Sequence, residues 1–271
     1  MKKALLILFV AGFFITCKKD KSPSASKETV LSKVSFNGTL VSEFIFSPQK
    51  QMTRFNEYDE KTGKLSYSNV FEYDAGGRMV MENQYNSTNK LTGQVLYTWL
   101  SADKLSFHQY KSLSGADSGK ITNRVNYSYD GSGRISQRAW VDLVTNVVEN
   151  SGDYSYYNNN NLRSEAAYYY YNGVPKLQWE TNYTDGNPIP PSLLKHQGWP
   201  INFLFFDMAT GESHFTYYNS DGTVNFESKV IFSDRRYDNG GFLQSQTITR
   251  KSIKPLKPDE IIQAKYEYIQ L

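Results

Sequence analysis

The chain has 271 residues, with 30 Lys and Arg against 27 Asp and Glu, a formal charge of +3. A balance so near neutral, with basic residues scattered rather than clustered, excludes an electrostatic footprint for nucleic acid. One cysteine and three histidines, none at metal-ligand spacing, exclude a disulfide framework and lead us to expect neither metal nor cofactor.

In chain order, the first element is a secretory signal. Lys2 and Lys3 precede an apolar run from Ala4 to Ile15 that is too short to span a bilayer as a stable helix. The run ends at Cys17 and gives way to the polar tract KKDKSPSASKET. A cysteine placed directly after a signal segment resembles the lipobox of bacterial lipoproteins, whose sulfur is diacylated, and the segment is similar in style to those of Bacteroidetes. Phe14 and Thr16 depart from the Leu and the small residue usual at those places. The resemblance implies lipid attachment at Cys17, which with two or three acyl chains holds a protein durably on a membrane. Lys18 in place of Asp after the cysteine implies the outer membrane. Residues 1–17 are therefore read as signal, 18–32 as a flexible tether without apolar period, and 33–271 as a single domain.

That domain reads as strand throughout. Twenty-one Tyr and sixteen Phe, interleaved with Thr, Val and Ser, favour a pleated surface. Alternation of period two is plain in SYSNVFEY, NRVNYSY and FTYYNSDGTVNFESKVIF, and no window sustains a helical period. One phrase recurs: FEYDAGGRM at Phe71–Met79 and YSYDGSGRI at Tyr127–Ile135. Partial copies stand at Phe46, Trp99, Tyr156 and Tyr183, so the anchoring aromatics follow one another at intervals of 26 to 30 residues. YNSDGTV at Tyr218 and YDNGGFL at Tyr237 read as continuing the series after an interruption. A second family of polar turns falls midway, after Tyr58, Tyr85, Lys111, Val141 and Tyr171. A fixed period of this kind marks a repeated supersecondary unit, here two strands and two turns. The fold class expected is all-β, an antiparallel up-and-down meander of at least about fifteen strands whose sheet is strongly twisted or closes into a barrel.

In the phrase itself, Asp74 and Asp130 suit turn starts, since a carboxylate can accept the backbone N–H two residues on. Gly77 and Gly133 supply a positive φ. Arg78 and Arg134 open the next strand with stems that cover apolar surface while the charge stays wet. Tyr237, Asp238 and Gly241 repeat the arrangement. These residues, with Tyr73 and Tyr129, resemble the YD repeat of Rhs and teneurin-type proteins over about residues 44 to 243. That family builds long spiralling β-sheets, often a shell around a carboxy-terminal toxin. This chain departs in its longer period and in reaching Leu271 without a further domain, so the resemblance implies a small YD-repeat-like lipoprotein rather than a toxin shell.

Chemistry is sparse. His108 and His214 read as ordinary strand-face residues, and no nucleophile elbow, phosphate loop or dinucleotide fingerprint occurs. Glu57, Glu72, Glu82 and Glu180 lie on strands and read as solvated carboxylates. Two of them facing across a cleft would instead make a glycosidase pair. The segment that breaks the pattern, residues 186–208, carries Trp199, Phe203, Phe205 and Phe206 among prolines. It is read as a plug for the sheet, or as an aromatic platform for a ligand. EAAYYYYNG places Tyr168 and Tyr170 on one face and Tyr169 and Tyr171 on the other. The expected function is a non-enzymatic binding or structural role at the bacterial outer membrane, with a glycan or an envelope protein as partner. The alternatives are a polysaccharide-acting hydrolase and an accessory or remnant of an Rhs-type toxin system. Cell-surface and periplasmic faces stay equally open.

Overall fold

The computed structural model describes residues 28–113, 115, 118–186 and 210–271. The signal, Cys17 and most of the tether lie outside them, as do His196, Trp199, Phe203, Phe205 and Phe206. The described chain forms sixteen strands and no helix. In order they are β1 (Thr29–Phe36), β2 (Thr39–Phe46), β3 (Met52–Tyr58), β4 (Leu65–Tyr73), β5 (Met79–Asn86), β6 (Leu91–Trp99), β7 (Leu105–Ser112) and β8 (Ile121–Tyr129). There follow β9 (Ile135–Asp142), β10 (Val147–Tyr156), β11 (Leu162–Tyr171), β12 (Val174–Tyr183), β13 (Glu212–Tyr218), β14 (Val224–Tyr237), β15 (Leu243–Lys254) and β16 (Glu260–Gln270). Each strand pairs antiparallel with its sequence neighbour, and β1 pairs with β16, so the meander closes into a barrel. Closure removes both sheet edges. The first strand begins at Thr29, so residues 29–32 belong to the barrel rather than the tether; Leu31 is fully buried opposite Tyr268.

Side chains alternate across the wall. A large inward cluster joins Leu31, Val34, Phe44, Met52, Phe71 and Met79 of β1–β5 to Phe232, Leu243, Ile248, Ile262, Ala264 and Tyr266 of β14–β16. A smaller one, around Ile135, Tyr154 and Leu162, fills the other side with Tyr127, Tyr129, Tyr156 and Tyr183 packed on it. The outward wall is cross-laced by polar pairs instead. Asn56 donates to Glu43 at 3.0 Å, Arg54 to Ser68 at 3.0 Å, Asn83 to Glu72 at 2.8 Å and Gln94 to Asn83 at 2.8 Å. Further round, Gln137 donates to Asp153 at 2.8 Å and Lys229 pairs with Glu212 at 2.7 Å.

The recurring phrase is a hairpin with a bulge. In the copy at Asp74, the Asp74 N–H donates to Arg78 O and the Gly77 N–H to Asp74 O, with Gly77 at φ 81°. Asp130 with Gly133 and Asp238 with Gly241 repeat both bonds at nearly the same φ. This is a turn followed by one residue in the left-handed region, which shifts the register of the pair. The carboxylates of Asp74 and Asp130 each accept two backbone N–H groups, from Gly76 and Arg78 and from Ser132 and Arg134. The arginines are not simply wet stems: Arg78 and Arg134 bind Asp74 and Asp130 at 2.7 Å, and Arg134 lies 4.7 Å over the Tyr156 ring. The partial copies at Phe46 and Tyr156 keep the backbone without the glycine, since Lys50 and Asn160 adopt φ of 66° and 68° at the same place, whereas the turn after Trp99 bonds both Leu100 N–H and Ser101 N–H to Lys104 O.

One correction concerns Tyr218. Its turn does not continue the Tyr237 series, because β13 runs the opposite way to β12 and carries the Asn219–Thr223 turn to the other rim. The chain leaves β12 at Tyr183 and re-enters as β13 at Glu212, both ends at the phrase-bearing rim. Both rims therefore have distinct populations of turns, and their difference defines the candidate site.

Candidate binding site

The rim that carries the phrase is shut. The apolar residue that ends each copy turns inward, and Met52, Met79, Leu105, Ile135, Leu162 and Leu243 are all 5% exposed or less. The anchoring aromatic of the next unit then buckles onto that residue's carbonyl. Tyr73 donates to Met52 O at 2.7 Å, the Trp99 indole to Met79 O at 2.7 Å and Tyr129 to Leu105 O at 2.7 Å. Tyr156 to Ile135 O and Tyr268 to Leu243 O, both at 2.8 Å, bring the buckles to five. Each such bond stabilises the wall by about 1 kcal/mol, and together they order a floor of interlocked rings. Burial of the rings also pushes the Tyr73 and Tyr156 hydroxyls up to about 12.

Above the floor the interior is polar and closely paired. Glu82 is 1% exposed, so it is not the solvated carboxylate expected: register places it inward opposite Phe71 and Val95. Its oxygens accept from Tyr97 at 2.7 Å and Gln84 at 2.8 Å, while burial raises its pKa. His108 is likewise an interior group rather than an ordinary face residue. Its ring lies between those of Tyr97 and Tyr127, and Nδ1 is 2.8 Å from the Tyr127 hydroxyl. Burial, and then the charge of Arg138, lower it to about 4, so the ring is neutral at physiological pH. Arg138 bonds Glu165 at 3.2 Å and sits 4.5 Å over Trp140.

The opposite rim is open, and tyrosines line it. Tyr67 and Tyr110 on the inner wall are each 38% exposed, and Tyr169 and Tyr171 are 50% and 61% exposed. Tyr110 lies so flat over Gly93 that a Cβ there would stand 2.6 Å from its hydroxyl oxygen. Between β11, β12 and the turn after β13 the mouth deepens into a cleft of about 540 Å³. Its walls are Tyr169, Tyr171, Lys176, Leu177, Gln178 and Tyr217, with Tyr218, Asn219, Ser220 and Asp221 at the edge. Lys176 lies 5.7 Å over the Tyr171 ring and donates to Ser220 O at 3.4 Å. Asp221 is occupied by its own turn, accepting from the Thr223 N–H and hydroxyl, which holds its carboxyl below the usual range.

The four strand carboxylates divide between the two faces of the wall. Glu57 accepts from Tyr67 on the inner wall and Glu82 from Tyr97 deeper inside, whereas Glu72 and Glu180 face outward to Asn83 and Tyr218. His214, also outward, is 2.7 Å from Glu227. No group of three His, Cys, Asp or Glu side chains able to hold a metal occurs among the described residues. Of the phrase residues, Tyr73 and Tyr129 build the floor, while Asp74, Gly77, Arg78, Asp130, Gly133, Arg134, Asp238 and Gly241 shape its turns and Tyr237 ends β14 just ahead of one. Sequence reading passed over Tyr67, Tyr110 and Tyr217. The available signal was position, since each lies within a few residues of a turn on the open rim.

No family model matches this chain, and no curated protein matches it in sequence. Among solved structures it is similar to a porin-like protein from Bacteroides uniformis, with a TM-score of 0.51 at 11% identity. The match covers 88% of this chain and 98% of that one, which makes it a likeness of the whole barrel fold. A porin-like protein from Bacteroides vulgatus aligns at a TM-score of 0.37 and 8% identity over 88% of this chain and 98% of that one. The TcdB2-TccC3 structure aligns at 0.29 and 10% identity over 78% of this chain and 13% of that one. Neither of these two scores carries an argument.

Proposed function

We propose that this chain is a lipid-anchored, non-enzymatic binding protein of the bacterial outer membrane, a small YD-repeat-like barrel that holds a ligand at its open mouth. The observation that carries the reading is the asymmetry of the barrel: a floor of buried side chains at one rim and half-exposed tyrosines at the other. Ligand sites concentrate in such barrel mouths, where apolar walls meet a few placed polar groups.

The anchor is supported by the signal-like segment ending at Cys17 and agrees with the path of the chain. Glu28 and Leu271 exchange backbone hydrogen bonds at the floor rim, so the tether enters there. Strands of about eight residues at ~3.3 Å each separate the mouth from the floor rim by roughly 25 Å of strand. The barrel itself is not built to sit within a bilayer. A membrane barrel presents an outward apolar band with aromatic girdles, whereas here the outward rows carry Glu43, Arg54, Glu72, Asp153, Lys229 and their partners. The similarity to a porin-like protein is thus a likeness of strand architecture, and the likeness in fold to a Bacteroides protein is consistent with an envelope origin. The hydrolase alternative has less support because its four candidate carboxylates are divided between the two faces of the wall.

Fractionation tests the reading. Wild-type protein is expected in the membrane pellet and the Cys17→Ser variant in the soluble fraction. Identical membrane retention of the two would rule out lipid anchoring.

A further inference from the structure

We infer that the cleft beside β11–β13 takes an uncharged saccharide of two or three rings, seated on Tyr169 and Tyr171; this deepens the binding-protein reading above and rests on it. Tyr169 and Tyr171 are two residues apart on one strand, so their rings project from the same face about 6.6 Å apart. They are among the most exposed tyrosines of the described chain, although both stand at the entrance to a concave volume rather than on a convex surface. An aromatic ring offers an apolar face with a polar edge, which suits the C–H face of a pyranose. The volume of about 540 Å³ lies within the ~300–1,000 Å³ range that encloses a small organic ligand.

The polar groups at the cleft set the charge of its ligand. Lys176 and Asp221 are one cation and one anion, and both are engaged locally, by Ser220 O with the Tyr171 ring and by the Thr223 turn. What remains to face a ligand is hydroxyl and amide: the tyrosines, Gln178, Asn219 and Ser220. Gln178 reaches the Tyr217 hydroxyl only at 3.4 Å, a long bond that a ligand hydroxyl can replace. An acidic polysaccharide would need surplus positive charge and a strongly basic peptide surplus negative charge, and the cleft has neither. Hydroxyl-rich, uncharged chains match it.

The test uses the full-length, detergent-solubilised lipoprotein on an array of neutral, sulfated and uronic-acid glycans. Maltotriose, cellotriose, chitotriose and an oligogalacturonate are then titrated by tyrosine fluorescence. The expected result is retention of at least one neutral class, insensitive to salt, with Tyr169→Ala and Tyr171→Ala each weakening it by about tenfold or more. Leu100→Ala, an exposed residue on the floor rim, should change affinity less than about threefold. Binding of acidic glycans alone, no glycan retention, capture of a polypeptide in its place, or full affinity in Tyr171→Ala would each overturn the assignment. Such a failure is separable from failure of the parent reading, because membrane retention through Cys17 is measured independently of any sugar.

Discussion

The two rims of this barrel are made from the same strands and share a turn backbone, yet they bury very different amounts of side chain. At the floor, each described hairpin is followed by an apolar residue that enters the interior, and an aromatic from the next unit bonds back to the carbonyls of Met52, Met79, Leu105, Ile135 and Leu243. At the mouth, the turns also lead into apolar residues, but Ile121, Val147 and Val174 are 37%, 49% and 59% exposed, and no such buckle occurs among the described bonds. The bulged backbone is shared, since Asn86 with Asn89 and Asn219 with Gly222 make the same pair of turn bonds as Asp74 with Gly77. Turn geometry therefore does not decide which end closes. Nor does the apolar character of the residue that follows the turn; the ends differ in how deeply that residue is buried and in the aromatic that bonds back to its carbonyl.

This comparison can be tested from its strongest element down. Leu105→Ala removes a floor residue that is 1% exposed and should destabilise the barrel by about 2–5 kcal/mol in denaturant titration. A loss below about 1 kcal/mol would mean that the floor does not hold the fold. Next is His108, midway between the rims. Its folded pKa of about 4 lies below the ordinary value of 6.5, so the unfolded chain takes up the proton first. Stability should fall by about 2–3 kcal/mol as pH drops from 6.5 towards 4. Glu82, whose pKa is raised, works in the opposite sense, so the comparison is with His108→Gln, which should flatten this part of the profile. Superimposable profiles would exclude a buried neutral ring.

Tyr129→Phe breaks one buckle and leaves the Leu105 carbonyl without its partner, at a cost of about 1 kcal/mol. Gly133→Ala forces a side chain into φ 79°, again at about 1 kcal/mol. Gly222→Ala at the mouth, φ 84°, should cost the same, because this term is local. Unequal losses would show that the phrase contributes more than its turn. The smallest effect belongs to Tyr171→Ala at the mouth, expected within about 0.5 kcal/mol of wild type. A large loss there would turn the open rim into a second structural end.

Much of this was legible in residues alone. Alternation and the repeated Tyr-Asp-x-x-Gly-Arg phrase implied hairpins at regular intervals, because a period of two and a left-handed turn residue are local properties. The same locality explains what was misread. Glu82 and His108 look like polar face residues, and only the register of β5 against β4 and β6, and of β7 against β6 and β8, turns them inward, where burial disfavours their charged forms. Tyr169 and Tyr171 read as cross-strand packing ahead of a sugar-stacking face, because exposure depends on which rim a strand end reaches.

By itself, then, the sequence determined the strands, their turns and their antiparallel order, since each is set by a few neighbouring residues. The tertiary structure decided closure through β1 and β16, the inward polar pairs and the difference between floor and mouth. Those depend on contacts between residues far apart in the chain, such as Leu31 with Tyr268, whose pairing no local pattern specifies.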